Sequence, residues 1–267
     1  MESVTGVFNT RTDAEQAYEQ LKQAGIPADK ATVLTPGSQD HMNKEIQAVP
    51  TDSTEQPGMG NAMGALLGGG LGITGGSVLM ALIPGVGPIT ALGLLGAAVL
   101  GAAGATVGAA AGGKIERASY EGLPEDEIFL YEDALRKGRS VVIALTDDEP
   151  AASSVRDVLK QAGAESVDAA REQWWTGLRS SEEDRYSTSS GRSFSEDEEF
   201  FRLGFQAAMH ARTRCMEFDQ VSAAMDAALQ DVQERYPGKD VEEPFTNGYR
   251  RGREHYQQLC DENKKAA

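Results

Sequence analysis

A literal G-x-G-x-x-G stands at Gly70, Gly72 and Gly75, inside the run GALLGGGLGITGG from Gly64 to Gly76. In a dinucleotide-binding unit such glycines let the backbone approach a pyrophosphate at a helix N-terminus. That arrangement needs a strand before the loop and an acid about twenty residues after it. Here GMGNAMGALLG precedes the loop, and the acid's place falls in PITALGLLGAAV. No Lys-Ser/Thr pair follows for a P-loop either. The motif lacks the context that would make it a phosphate site.

The spacings His210-x4-Cys215 and His255-x4-Cys260 bring together the two residue types that zinc favours. Five residues along a helix turn the side chain by about 140°, so each pair diverges. The sequence is better read as two small buried cysteines and two partly exposed histidines. His41 stands in a polar segment without a partner in sequence. Pro124-Glu125-Asp126-Glu127 groups three carboxylates, but a proline followed by acids is what a helix N-terminus favours. The runs RSSEED and SFSEDEE have the form of acidophilic phosphorylation sites, a form that charged linkers also take. No Ser/His/Asp order and no HExxH is present. The expectation is a protein that is not an enzyme, with no cofactor, no metal site and no identified small-molecule substrate.

The charge distribution bounds the partners. The 267 residues carry a formal net charge of −16. General nucleic-acid binding needs clustered Lys and Arg, so nucleic acid is excluded as an expected partner. From Gly58 to Gly113 there is no charged residue at all. Two cysteines, Cys215 and Cys260, suit a reducing compartment. The opening MESVTGVFNT lacks the basic and apolar regions of a signal peptide, which suggests a cytosolic start.

The N-terminal segment reads as strand, helix, strand. Ala14, Ala17, Tyr18, Leu21 and Ala24 share one helical face, with Thr12 and Glu15 as a capping box and Gly25 at the C′ position. A similar unit returns around RSVVIALT and EPAASSVRDVLKQAG, with Pro150 near the helix start. The peptide LKQAG closes both helices, at Leu21–Gly25 and Leu159–Gly163. Strands are expected at Val4–Phe8, Ala31–Leu34, Val141–Leu145 and Ser166–Ala169. Two such units predict an α+β fold, a ferredoxin-like (βαβ)2 sandwich with two helices on one face of the sheet.

Between the halves, Gly60, Gly64, Gly68, Gly72 and Gly76 recur every four residues. Gly104, Gly108 and Gly112 form a second row, and Gly93 and Gly101 stand in a third with alanines. Such stripes let helix backbones approach closely in membranes. Met59–Ile83 and Pro88–Gly113 are each long enough to cross an apolar core of about 30 Å as helices. PGVGP would then be the turn on the far side, and Lys114 and Arg117 the cytosolic flank. The alternative is a hairpin buried in a soluble assembly.

After Trp175, the Ser-rich, charged run reads as a linker. Trp174 and Trp175 suit either the headgroup level of a membrane or the open end of the sheet. The C-terminal part is helical and repeats itself: EEFFRLGF at Glu198–Phe205 matches EEPFTNGY at Glu242–Tyr249. Phe201 aligns with Phe245, Gly204 with Gly248, and Phe205 with Tyr249.

The opening TGVFNTRTDAEQAYEQLKQAGI resembles the bacterial heat-induced stress protein YflT and general stress protein families. The glycine-rich centre followed by GLPEDEIFLYEDALRKGRSVVIAL is similar to bacterial membrane-associated stress domains of unknown function. The resemblance covers residues 3–170. It implies a stress-linked role and carries over no catalytic residue.

The resulting expectation has five parts: a first βαβ half at 1–57, a transmembrane glycine-zipper hairpin at 58–113, a second half at 114–178, a linker at 179–197 and a helical repeat domain at 198–267. The function expected is a non-enzymatic, self-associating stress protein of the inner membrane with cytosolic domains. The alternative is a cytoplasmic oligomeric scaffold or ligand-sensing module with the hairpin as its assembly core.

Overall fold

The structure, a computed structural model, describes residues 2–37, 78–83, 86–92, 126–210 and 218–266. The elements in chain order are β1 (Glu2–Phe8), α1 (Arg11–Gln23), β2 (Ala31–Pro36), β3 (Val78–Ile83), β4 (Gly87–Leu92), α2 (Ile128–Arg136), β5 (Ser140–Thr146), α3 (Glu149–Gln161) and β6 (Glu165–Ser166). Four helices follow: α4 (Val167–Ser190), α5 (Phe194–Met209), α6 (Phe218–Arg235) and α7 (Glu242–Ala266). The fold is α+β, and it divides into two units. One comprises Met1–Pro124 and Tyr131–Val167, the other Glu125–Leu130 and Asp168–Ala267.

In the first unit a six-stranded antiparallel sheet runs in the order β3-β4-β2-β5-β1-β6. Val4, Phe8, Val33, Val142 and Ala144 face α1 and α3, where Ala17, Leu21, Val155 and Leu159 complete one core. The alternate residues on the other face are buried as well: Val7, Leu34, Ile89, Ala91, Val141 and Ile143. Tyr131 reaches that face, its Oη 2.9 Å from Thr5 Oγ1. All seven residues of β5 are buried. A sheet covered on both sides explains why SVVIALT is a nearly continuous apolar run rather than an alternating one.

The helix ends follow from local chemistry. The N-cap of α1 is Thr10, not Thr12: its backbone is extended and its side chain accepts from the Asp13 amide at 3.1 Å. Both threonines have an acid three residues on, and the extended backbone picks the first. Asp148 caps α3 by accepting from the Ala151 amide at 2.9 Å, with Pro150 in the first turn. The two LKQAG peptides end alike. Gly25 and Gly163 sit at φ +94° and +87°. Their amides donate to Lys22 and Lys160, and the next amides, of Ile26 and Ala164, donate to Leu21 and Leu159. This double closure is a Schellman motif, and glycine supplies its left-handed residue without strain.

Three expectations are corrected. The residues of the central stretch that are described form a β-hairpin, not two helices. Val78 pairs with Leu92 and Ile83 with Gly87, and β4 joins β2 through Val33↔Leu92 to Pro36↔Ile89. The helices expected over Met59–Ile83 and Pro88–Gly113 are therefore strands at Val78–Ile83 and Gly87–Leu92, and the rest of both stretches lies outside the described residues. The apolar run VLMALI and the run GPITAL, separated in sequence by Pro84-Gly85-Val86, suit strands, whereas glycine in a helix costs about 1 kcal/mol per residue in water. Among the described residues no helix is long and apolar enough to cross a membrane. The glycine rows, Gly60, Gly64, Gly68, Gly72, Gly76, Gly93, Gly101, Gly104, Gly108 and Gly112, lie outside the described residues, as does the G-x-G-x-x-G.

The second correction concerns 179–197. Instead of a linker, α4 continues to Ser190 and α5 begins at Phe194. Leu178, Glu182 and Tyr186 recur every four residues, and their partial or full burial supplies a face that the Ser-rich composition hides. The third concerns the last strand: β6 ends at Ser166, and Val167 already begins α4. The tryptophans lie within that helix rather than after a strand. In the same way α2 begins at Ile128, so Asp126 and Glu127 occupy the preceding turn; Pro124 and Glu125 lie outside the described residues.

Candidate functional site

The second unit gathers the residues most able to do chemistry. Trp174 and Trp175 are 4 % and 3 % exposed. Trp174 stacks at an angle on Phe129 with centroids 4.8 Å apart and meets Phe205 edge-on at 5.7 Å. Trp175 lies among Phe194, Phe201 and Phe205. Both tryptophans are therefore core, and the headgroup-level reading is withdrawn.

The C-terminal repeat has a structural meaning. A Cβ built on Gly204 would lie 2.0 Å from the Phe245 carbonyl oxygen, and one built on Gly248 would lie 1.9 Å from that of Phe201. The equivalent glycine of each half thus receives the equivalent phenylalanine of the other. Gly252 repeats the contact one turn on, with the Phe205 oxygen at 2.5 Å. Helices α5 and α7 cross in backbone contact, a small-xxx-small packing of Gly204 and Ala208 against Gly248 and Gly252. The same geometry is the one expected of the central glycine rows, which lie outside the described residues.

The carboxylates around this core are engaged. Asp197, 5 % exposed, takes two bonds from Arg192 at 2.6 and 2.9 Å and one from Tyr186 Oη at 2.7 Å. Glu198 takes Arg179 at 2.8 Å on each oxygen and the Trp175 indole at 2.8 Å. The Arg192 bonds hold Asp197 below the usual carboxylate range against the opposing effect of burial, and the Arg179 bonds do the same for Glu198. Glu182, 3 % exposed, receives Arg251 at 2.8 and 2.9 Å. An open groove of about 540 Å³ is lined by Ser195, Glu198, Glu199, Arg202, Leu203, Gln206 and Tyr236. Its charges close on neighbours: Arg202 on Glu172, and Glu199 on Tyr236 at 2.8 Å.

These pairs set an acid limit. A carboxyl whose folded pKa is depressed contributes stability above its unfolded value and loses it as pH falls through the folded one. Glu172, Asp197 and Glu198 all shift downward, each chiefly through an arginine. The second unit is expected to weaken progressively below about pH 4, the unfolded carboxylate range. Because the chain's two tryptophans are Trp174 and Trp175, indole fluorescence reports this unit alone. Denaturant midpoints followed by fluorescence from pH 7 to pH 3 should fall, and Asp197→Asn should flatten the decline. An unchanged slope in that variant would show that Asp197 is not a source.

His255 packs against the Phe205 ring at 5.5 Å, His210 caps α5, and Cys215 and His41 lie outside the described residues. No group of three His, Cys, Asp or Glu residues is placed to hold a metal among the described residues.

The remaining candidate is the sheet edge. β3 is the end strand, and among the described residues its one partner is β4. Its sequence, VLMALI, has no charge, proline or glycine. The opposite edge is β6, two residues long and tied to Arg139 through Glu165. Sequence reasoning missed this edge because the glycine spacing on either side pointed to helices. The apolar run bounded by Pro and Gly was the available signal. Comparison with family models, curated proteins and solved structures finds no match to this chain.

Proposed function

We propose that the protein is a non-enzymatic, self-associating scaffold of the bacterial stress-response type, with the β3–β4 hairpin at its assembly surface. The observation that carries this reading is the placement of the hairpin. The chain's one long uncharged stretch, Gly58–Gly113, delivers an unguarded strand to the end of a folded sheet, in a molecule of net charge −16. The stress role rests on the resemblance of residues 3–170. The order β6-β1-β5-β2, with α1 and α3 on one face, supports a ferredoxin-like unit extended on one side by the hairpin.

A second reading is favoured by the lack of charge in residues 58–77 and 93–113: attachment to a lipid surface. Two measurements separate the readings. The scaffold predicts release from cell membranes by a carbonate wash and a mass at least twice 28.4 kDa by sedimentation equilibrium. Retention in the carbonate pellet would favour the lipid reading, and a monomer in solution would remove the scaffold.

A further inference from the structure

We propose that β3 pairs antiparallel with β3 of a second copy, joining two six-stranded sheets into one across a two-fold axis. The inference rests on the self-association reading and names its contact. Backbone groups along an outer strand need partners, and natural edges are usually guarded by charge, proline or shortness. The β6 edge is short and carries Glu165, whereas Val78–Ile83 has none of these guards. Two chains of charge −16 repel, and the repulsion is weakest where neither has charge. β3 lies well inside the uncharged stretch, which favours a second copy over a basic partner. Antiparallel pairing of a strand with itself is closed by two-fold symmetry, so it ends at a dimer rather than a fibre.

The register follows from the faces. Ile89 and Ala91 share the face of Leu34, and they pair with Ala81 and Leu79. Along β3, residues 79, 81 and 83 therefore alternate in the register with 78, 80 and 82. An axis perpendicular to the sheet keeps each face on its own side, so paired residues share a face and the axis passes between one residue and its own copy. The centre of the strand puts it at Met80 or Ala81. Such a pairing adds about six inter-chain backbone hydrogen bonds.

The test uses the full chain with Cys215→Ser and Cys260→Ser. In that background Met80→Cys and Ala81→Cys are compared with the exposed control Ser195→Cys under mild oxidation. At one of the two central positions the thiols meet across the axis, within the Cα separation a disulfide spans. The expected result is at least about tenfold more disulfide-linked dimer there than in the control. A second variant, Met80→Lys with Ala81→Lys, places like charges across the axis and is expected to reduce the sedimentation mass to 28.4 kDa. Circular dichroism confirms that each variant is folded, and an unfolded lysine variant leaves the cysteine comparison to decide. Oligomers that persist in the folded lysine variant, or with neither cysteine crosslinking above control, would overturn the edge contact and leave self-association standing. A parent chain that is monomeric at tens of micromolar would overturn both.

Discussion

Replacing Gly248 by alanine is expected to destabilise the helical unit by about 2–3 kcal/mol, although alanine is the better helix former. In an open helix the exchange stabilises by up to about 1 kcal/mol. At Gly248 the new methyl would lie 1.9 Å from a backbone oxygen of the facing helix, so α5 and α7 must separate. Overpacking of this kind typically costs about 1–3 kcal/mol, and backbone yields less readily than a side chain. Gly177 provides the control: it lies in α4, and an added Cβ meets nothing within 4 Å. Gly177→Ala should leave stability unchanged or raise it. Both effects are read in denaturant midpoints by tryptophan fluorescence. Gly204→Ala should resemble Gly248→Ala, and the double variant should cost less than the sum because the first substitution already parts the helices. Equal effects at positions 177 and 248 would show that the helices do not cross at backbone contact.

The second large effect is expected at Arg251. From within α7, its guanidinium grips both oxygens of Glu182, and it also meets Glu254. Arg251→Met leaves a carboxylate only 3 % exposed without its cation. Removing one partner of a buried pair typically costs about 3–5 kcal/mol, whereas replacing both with apolar groups is often close to neutral. The double variant Glu182→Leu, Arg251→Met is therefore expected to recover most of the loss. A double variant as unstable as the single one would assign the cost to lost packing of the arginine stem rather than to the stranded charge.

The parts of the fold that were legible in the sequence are those set by local rules. The two LKQAG ends, Pro150 and the short apolar strands β1, β2 and β5 were readable because caps and apolar runs depend on near neighbours. The aligned pairs Phe201/Phe245 and Gly204/Gly248 were readable as a repeat, but their reciprocal contact was not, since spacing does not say which helices meet. The failures share a cause: composition stood in for geometry. Glycines every four residues suggested helices around Ile83 and Pro88, yet the hydrogen-bonding edge of β2, far away in sequence, fixes Gly87–Leu92 as a strand. Serines and charges suggested a linker at 179–197, although Glu182 and Tyr186 are buried there. The candidate edge was hidden for the same reason, because an edge exists only once the neighbouring strands are placed.

The central claim is that β3 and β4, from within the uncharged stretch, pair as a hairpin on the edge of β2. Thr35 of β2 and Thr90 of β4 face each other in the register, with Thr35 Oγ1 3.5 Å from the Thr90 carbonyl oxygen. Paired cysteines at 35 and 90, in the Cys215→Ser, Cys260→Ser background, should form an intrachain disulfide in the full-length protein in cells under mild oxidation, seen as a mobility shift reversed by reductant. Cysteines at 35 and 88, two residues out of register, should link far less. Absence of the 35–90 disulfide, with residue 90 instead labelled by a membrane-impermeant thiol reagent from the side opposite residue 35, would contradict the account.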